Sequence, residues 1–174
     1  EYKNDTARGP TGISGDGNTT RSFLGKGGYG YINGVPAGNL SWTVEAWVNR
    51  DDMNDMAIFD HGAGGSGPAL FIRGNHLVLH LPDPDGELID NGTFPWDGKF
   101  HQVAATWDGV TAKLFVDGTL VNLREATKAP SGISTLYVGF GNVGLSQPWF
   151  RGSLDEVSYY RTALTDQRIL EHYM

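Results

Sequence analysis

Residues that could carry out catalysis are present in this 174-residue chain, but their spacing does not assemble a catalytic set. Asp155 and Glu156 are adjacent, so in a β-strand their side chains point to opposite faces and cannot act as an acid–base pair. Glu45 is the lone carboxylate of its predicted strand. The histidines lack a His-Glu-x-x-His spacing, and the chain has neither cysteine nor a Gly-x-Ser-x-Gly nucleophile motif. The sequence therefore predicts that this protein is not an enzyme.

Other residues have the chemistry for binding a sugar, because an aromatic ring can stack on the apolar face of a pyranose while polar groups bond its hydroxyls. Trp149 ends a glycine-rich loop and Trp96 lies in an acidic loop, so each ring is a candidate stacking surface. Core packing is the alternative for both rings. The polar side chains that we expect to contact the sugar are Arg73, His80 and Glu45. For Arg73 and His80, a solvated strand face is the alternative.

Short β-strands separated by turns position these side chains. Residues 101–107 and 112–116 form the clearest pair, with Asp-Gly turns between and after them. Asp-Gly pairs readily supply the positive φ angles of tight hairpin turns, so the pattern predicts an antiparallel hairpin. Alternation places Trp107 on the same face as Val103, which predicts that its ring is in the core.

The remaining pattern is that of an all-β protein with one helix. Further strands are predicted at residues 41–49, 57–61, 69–73, 76–81, 120–125, 135–140 and 150–160. With 25 glycines between short β-rich runs, the chain favours a sandwich of antiparallel strands over a helical fold. A helix is predicted over residues 165–172, with Thr165 as its N-cap. Its apolar stripe is expected to consist of Ile169, Leu170 and Tyr173.

The composition limits the partners of the chain. A formal net charge of −7 argues against a nucleic acid or an anionic membrane surface as the partner. No apolar run is long enough to span a bilayer, so membrane insertion is not expected. The length fits one domain over residues 1–174, in which residues 1–20 form a linker or an edge strand. Because the chain begins at Glu1 without a signal-like segment, we expect a processed form or an excised domain.

Three blocks of sequence, in a fixed order, carry a family resemblance. They are SWTVEAWVN at residues 41–49, DGKFHQVAATWDG with LFVDG within residues 97–118, and FRGSLDEVSYY at residues 150–160. These blocks resemble the laminin-G-like, or concanavalin A-like, jelly-roll domains over roughly residues 20–174. The resemblance implies a two-sheet antiparallel sandwich, in which Trp47 packs in the core and His101 hydrogen-bonds within the sandwich. The Glu-x-Asp-x-x-Glu motif that glycosidases of this fold share is absent.

The same resemblance implies a structural calcium ion, which in such domains ties the N-terminal segment to the last strand. Calcium prefers hard oxygen ligands from carboxylates and turn carbonyls. The ligands to which the resemblance points are Asp16, Asn18 and Asp155. Asp83 and Asp85 are an alternative pair, and a turn or capping hydrogen bond is the alternative role for Asp155.

The resemblance also implies a function outside the cell. We expect a non-catalytic, lectin-like module that binds a poly- or oligosaccharide and belongs to a secreted or cell-surface protein. A polysaccharide-active enzyme, whose other domains are its partners, is one such protein, and the periplasm is a compatible location. The alternatives are a protein-binding adhesion or receptor module of the laminin G type and a structural spacer. An exposed aromatic ring beside polar groups on a concave face would favour the sugar, whereas a large flat apolar patch would favour a protein.

Overall fold

The structure is a computed structural model that describes residues 2–3, 6–13, 19–36, 40–62, 67–81, 88–90, 94–95, 97–125, 133–141, 144–145 and 148–174. Trp96, Asp16 and Asn18 lie outside the described residues, as do Asp83 and Asp85. Their expected roles in sugar or calcium binding therefore stay predictions.

Within the described residues, fourteen strands form two seven-stranded antiparallel sheets that enclose a common core. The front sheet has the order β12 (Thr119–Glu125), β11 (Thr111–Val116), β10 (His101–Trp107), β5 (Trp42–Arg50), β14 (Arg151–Tyr160), β3 (Thr19–Leu24) and β2 (Thr6–Thr11). The back sheet has the order β1 (Tyr2–Lys3), β4 (Tyr29–Pro36), β13 (Ile133–Val138), β6 (Met56–His61), β7 (Ala69–Arg73), β8 (His76–His80) and β9 (Leu88–Asp90). A short helix, α1 (Asp166–Tyr173), follows β14. The predicted all-β jelly-roll sandwich with a C-terminal helix is confirmed.

The core between the sheets is built from alternate residues of the strands, as a period of two requires. In the β10–β11 hairpin, Val103 lies opposite Val116 and Ala105 lies opposite Leu114. All four side chains are buried, together with Trp107, which is 1% exposed. Burial of each large apolar side chain stabilises the fold by about 1.5–3 kcal/mol. The predicted hairpin and the core position of Trp107 are therefore confirmed.

Asp117, in the turn after β11, fixes the position of the His101 side chain at the start of β10. Its Oδ2 lies 2.7 Å from His101 Nδ1, and its Oδ1 accepts a hydrogen bond from the backbone N–H of Gln102 (3.0 Å). On the other side of the ring, His101 Nε2 lies 3.1 Å from Asp97 Oδ1. Burial lowers the pKa of His101, but the hydrogen bonds to Asp117 and Asp97 together outweigh burial and raise this pKa. The expected hydrogen bonding of His101 within the sandwich is confirmed.

α1 lies on the outer face of the front sheet and is anchored by one buried side chain. Ile169 is fully buried against Ala104 of β10 and Phe115 of β11. The helix begins as predicted, because Thr165 Oγ1 accepts a hydrogen bond from the backbone N–H of Arg168 (3.2 Å). Among the described residues, no helix is long and apolar enough to cross a membrane.

The three residues of the predicted apolar stripe of α1 all pack toward the sheet, but they are buried to different extents. Ile169 is 0% exposed, whereas Leu170 and Tyr173 are 36% and 39% exposed. Tyr173 follows Ile169 by one turn and so faces the same sheet. At that point the helix lies over an open groove rather than a closed apolar layer, which leaves the tyrosine ring partly accessible to solvent.

β14 departs from regular pairing with its neighbour β5. Asp155 lies opposite Trp47 and Ser158 lies opposite Glu45, so two residues of β14 are matched by one residue of β5. Glu156, within this bulge, has a φ of 47°, in the left-handed region. Bulges of this kind redirect side chains relative to a regular strand. The strict alternation predicted at Asp155 and Glu156 is therefore wrong, and Glu156 lines the same outer face as Glu45.

The N-terminal segment contributes one strand to each sheet. β1 pairs with β4 of the back sheet, and β2 pairs with β3 of the front sheet. The two strands lie on the same side of the sandwich, since the ring of Tyr2 in β1 packs against that of Phe23 in β3 with centroids 6.2 Å apart. The segment therefore completes both layers at this side.

Candidate functional site

A groove of about 540 Å³ opens on the outer face of the front sheet, where the C-terminal end of α1 lies over β5 and β14. Its volume is within the range of small-molecule binding sites. We call it the Glu45 groove. The residues that line it are Ile13, Glu45, Ala46, Trp47, Gln102, Glu156, Ser158, Tyr160, His172, Tyr173 and Met174.

Glu45 lies at the base of the groove, on the outer face of β5, and its side chain is 9% exposed. Its Oε1 accepts a hydrogen bond from the hydroxyl of Tyr160 (2.8 Å). His172 Nδ1 lies 2.9 Å from Oε1 and 3.0 Å from Oε2 of the same carboxylate. Burial and the hydrogen bond to Glu45 raise the pKa of Tyr160, which keeps its hydroxyl protonated as the donor. Glu45 therefore fastens both the last strand and the end of α1 to the front sheet.

Trp47 and Tyr173 form the aromatic part of the groove. Their rings stack with centroids 5.6 Å apart and planes 19° apart. Both rings are partly exposed to the groove. The core position that the resemblance implied for Trp47 is therefore wrong. Alternation along β5 places Trp47 on the face of Glu45, opposite Val44 and Val48, and the end of α1 covers its ring only in part.

Glu156 and Ser158 add polar groups on the β14 side of the groove. Glu156 is exposed, and its backbone carbonyl accepts a hydrogen bond from Ser158 Oγ (3.3 Å). The bulge brings Glu156 to the groove that contains Glu45, although the two are far apart in sequence. Among the described residues that line the groove, His172 is the one side chain that can carry a positive charge. The groove therefore has a negative charge.

Asp155 lies beside the groove, and its carboxylate holds the N-terminal segment. The residue is 4% exposed, and its Oδ2 accepts a hydrogen bond from the backbone N–H of Ile13 (2.9 Å). Ile13 directly precedes residues 14–18, which include the two other expected calcium ligands and are not described. In the part of the chain that the structure describes, no three histidine, aspartate or glutamate side chains converge on one point as a metal site would require. Calcium binding stays a prediction.

The structure separates the expected sugar-binding residues between two surfaces. Trp149, Arg73 and His80 lie on the outer face of the back sheet, on the side of the sandwich opposite Glu45. In the β7–β8 hairpin, Arg73 pairs with His76 whereas His80 pairs with Ala69. The Cα atoms of Arg73 and His80 are thus about 13 Å apart along the strands. Their expected convergence with Glu45 on one ligand is wrong, because the order of the strands places them on different faces.

Trp149 belongs to a cluster of five partly exposed aromatic rings, which we call the Trp149 patch. Its ring centroid lies 4.4 Å from that of Phe140 and 6.1 Å from that of Tyr29. The ring centroids of Tyr29 and Tyr137 are 5.9 Å apart. The members of the patch are Tyr29, Tyr31, Tyr137, Phe140 and Trp149. This surface is a shallow aromatic one, whereas the Glu45 groove is concave.

Solved structures with the same fold include toxin domains and a pentraxin. The binding domain of Paraclostridial Mosquitocidal Protein 1 is 12% identical with a TM-score of 0.75, and the match covers 99% of this chain and 47% of that chain. The binding domain of botulinum neurotoxin DC in complex with SialylT is 14% identical with a TM-score of 0.73, over 99% and 45%. The heptameric SAP-like pentraxin from Limulus polyphemus is 15% identical with a TM-score of 0.69, over 88% and 80%. This chain thus spans about half the length of the toxin domains that it matches.

Sequence comparison gives the family. No curated protein sequence matches this chain. A laminin G family model, described as the concanavalin A-like lectin/glucanases superfamily, matches residues 24–170. That range includes both sheets apart from β1, β2 and most of β3, and it includes residues 166–170 of α1. The chain belongs to the concanavalin A-like lectin/glucanases superfamily.

Proposed function

We propose that this domain binds carbohydrate in the Glu45 groove and does not cleave it. The observation that carries the proposal is the stacked pair of Trp47 and Tyr173 beside polar side chains in a concave site. Partly exposed aromatic rings pack well against the C–H groups of a pyranose. Glu156 and Ser158, on the β14 side of the groove, supply oxygen atoms for its hydroxyls.

The hydrogen bonds of Glu45 support binding rather than cleavage. Glycoside hydrolysis uses two carboxylates that flank the scissile bond as acid and base or nucleophile. Both oxygens of Glu45 face Tyr160 and His172, so this carboxylate is committed to holding the last strand and α1. Glu156 then lacks a second catalytic carboxylate among the described residues of the groove.

The similar toxins support the class of function. Botulinum neurotoxin type C is described as entering cells through interaction with two ganglioside molecules, and the neurotoxin DC domain is seen in complex with SialylT. Since this chain spans 45% of each of those chains, the likeness supports a binding module and does not locate its site. We also propose that the domain is one module of a larger secreted or cell-surface protein.

The proposal is tested with a glycan array, followed by calorimetric titration of the glycan that is best retained. Few polar contacts surround each ring of a stacked sugar, so we expect affinities on the order of micromolar to millimolar. Tyr173→Ala removes an exposed ring and should weaken binding by about 1–3 kcal/mol, the range known for stacking of aromatic side chains on planar rings. Incubation with the same glycan should release no new reducing ends.

Trp149→Ala is the matched control, and it tests the alternative surface at the same time. If the groove is the site, this variant should bind as the parent protein does. If Trp149→Ala abolishes binding while Tyr173→Ala does not, the sugar binds to the Trp149 patch, as the sequence alone suggests, and the groove is excluded. Retention of no glycan by the parent protein would contradict the proposed function and favour a protein partner.

A bound calcium ion is a separate proposal that fits the position of Asp155. The backbone N–H of Ile13 donates to Oδ2 of this carboxylate, and Ile13 directly precedes the segment of the sequence that contains Asp16 and Asn18. A site built from Asp155, Asp16 and Asn18 would stabilise the fold by mass action, by ~2.7 kcal/mol at a hundredfold excess over the dissociation constant. A chelator should then lower the melting temperature, and Asp155→Asn should abolish that effect. An unchanged melting temperature would contradict calcium binding.

A further inference from the structure

We propose that Gly118 and Gln102 are positioning residues of the Glu45 groove, because together they set how closely Tyr173 of α1 lies to Trp47 of β5. This inference rests on the proposed function, and it names two residues on which sugar binding in that groove depends. The two rings are stacked with centroids 5.6 Å apart, and they belong to different elements of the fold. The position of α1 on the sheet therefore decides the geometry of the pair.

The N-terminal end of α1 is fixed at a distance from the aromatic pair. Thr43 Oγ1 accepts a hydrogen bond from the backbone N–H of Leu164, just before the helix (2.9 Å). Lys113 Nζ lies 2.6 Å from Oδ1 of Asp166, the first residue of the helix. With this end held to the front sheet, the contacts of the C-terminal half decide where Tyr173 lies.

The turn between β11 and β12 is in close contact with that C-terminal half. Asp117 and Gly118 have φ values of 50° and 70°, as the two central residues of a tight hairpin turn require. A Cβ added at Gly118 would lie 2.9 Å from Leu170 Cδ1 and 3.1 Å from Tyr173 Cβ. Contacts this short would require the helix to move by a few tenths of an ångström. Glycine at this position therefore allows α1 its observed approach to the turn.

Gln102 connects the turn to the helix beside the aromatic pair. It lies directly opposite Trp47 in the pairing of β10 with β5. Its Oε1 accepts a hydrogen bond from the backbone N–H of Gly118 (3.1 Å), and its Nε2 donates to the backbone carbonyl of Ile169 (3.4 Å). Gln102 is 2% exposed, so these bonds satisfy an amide that is shielded from water. They hold the turn and α1 at a defined separation.

A displaced helix would change the aromatic pair. Tyr173 is carried by α1 whereas Trp47 belongs to β5, so movement of the helix on the sheet changes the distance between the rings. The pair offers a sugar one continuous stacking surface only while that distance is kept. Gly118 and Gln102 are both buried, so they affect the sugar through Tyr173 and not by contact with it.

The test is fluorine NMR of the full 174-residue chain labelled with fluorotryptophan. The chain has five tryptophans, and Trp47→Phe assigns the signal of Trp47. Tyr173→Ala removes the neighbouring ring and gives the shift for complete loss of the pair. We expect Gly118→Ala to move the Trp47 signal in the same direction, because the added methyl group displaces α1.

Gly34→Ala is the matched control for this substitution. Gly34 in β4 has a φ of 72°, and nothing lies within 4 Å of a Cβ added there. Both variants therefore introduce the same backbone strain, but only Gly118→Ala affects α1. The Trp47 signal of Gly34→Ala should match that of the parent protein. If Gly118→Ala moves this signal no further than Gly34→Ala does, the inference is overturned.

Gln102→Met is a second variant, which decides the matter if Gly118→Ala does not fold. Methionine keeps the unbranched shape of the side chain and removes its hydrogen bonds to Gly118 and Ile169. We expect the Trp47 signal to move toward its position in Tyr173→Ala. An unchanged Trp47 signal in Gln102→Met would overturn the role of Gln102.

Calorimetric titration then relates the position of the rings to sugar binding. The probe is the glycan that the parent protein retains most strongly on the array. We expect Gly118→Ala to bind it about three- to tenfold more weakly, since the groups of a binding site must be held within about 0.5 Å, whereas Gly34→Ala should bind as the parent does. Equal affinity of Gly118→Ala and the parent would overturn the inference. If the parent retains no glycan but the Trp47 signal still responds to Gly118→Ala, the proposed function fails and the positioning of the aromatic pair stands.

Discussion

The structure predicts that Glu45→Ala detaches the end of α1 from the front sheet and lowers the stability of the whole domain. The substitution removes the acceptor for two donors, the hydroxyl of Tyr160 and Nδ1 of His172. A hydrogen bond to a charged group contributes about 1.5–3 kcal/mol. Both donors border the open groove, so water can replace part of the lost hydrogen bonding. We therefore expect the free energy of unfolding to fall by about 2–3 kcal/mol. For a chain of this length the melting temperature should fall by roughly 4–12 °C.

Glu45→Gln is the matched control for this prediction. Glutamine keeps the volume of the side chain and one carbonyl acceptor, so we expect a loss of about 1 kcal/mol, between the parent protein and Glu45→Ala. Urea unfolding of the parent protein and both variants measures the free energies of unfolding. A double-mutant cycle of Glu45→Ala with His172→Ala should show a coupling of about 1 kcal/mol. Additive effects, or a loss below about 0.5 kcal/mol for Glu45→Ala, would refute the role of Glu45 as an anchor.

Three further changes test other parts of the structure. Ile169→Ala empties a fully buried position between α1 and the sheet and should cost about 2–5 kcal/mol, measured by urea unfolding. Gly152→Ala should lower the free energy of unfolding by at least about 2 kcal/mol, because Gly152 has a φ of 137° and an added Cβ would lie 2.2 Å from the backbone oxygen of Asn49. A variant as stable as the parent protein would contradict the close packing of β14 on β5. The raised pKa of His101 means that protonation of this side chain stabilises the folded state. This stabilisation is complete below the unfolded pKa of about 6.5 and is lost as the pH rises through the pKa of the folded state. His101→Asn should therefore flatten the fall in stability over that range, and an NMR titration of His101 with a pKa at or below its usual value would contradict the assignment.

The features that sequence predicts well are those that depend on neighbouring residues. The hairpin of β10 and β11 follows from local turn chemistry and from alternation, and both survive in the structure. The N-cap of α1 at Thr165 likewise depends on four consecutive residues, 165–168. These elements need no knowledge of where the rest of the chain lies, and this is why the fold class could be predicted.

The candidate site could be predicted only in part, because it depends on which strands become neighbours. Alternation places Trp47 on the face of Glu45, whereas the family resemblance implies a core position for this ring. Glu156 reaches that face through a bulge whose position depends on pairing between β14 and β5, which are more than a hundred residues apart. Tyr173 joins the groove only once α1 packs on the sheet. Nothing local distinguishes the two outer faces of a sandwich, so the sequence cannot separate Trp149 from Glu45.

The placement of β1 and β2 has a consequence for the solubility of the chain. Without these two strands, β3 would present a row of unpaired backbone N–H and C=O groups, and β4 would lose its pairs at Tyr29 and Gly30 on the same side of the sandwich. Such rows act as templates for intermolecular pairing, the first step of β-sheet aggregation. A truncated chain that begins at residue 19 would keep most of its core and yet expose the edge of β3. With β1 and β2 present, β2 is the edge strand, and because a bulge interrupts its pairing with β3, its edge is a less regular template for another chain than β3 would be.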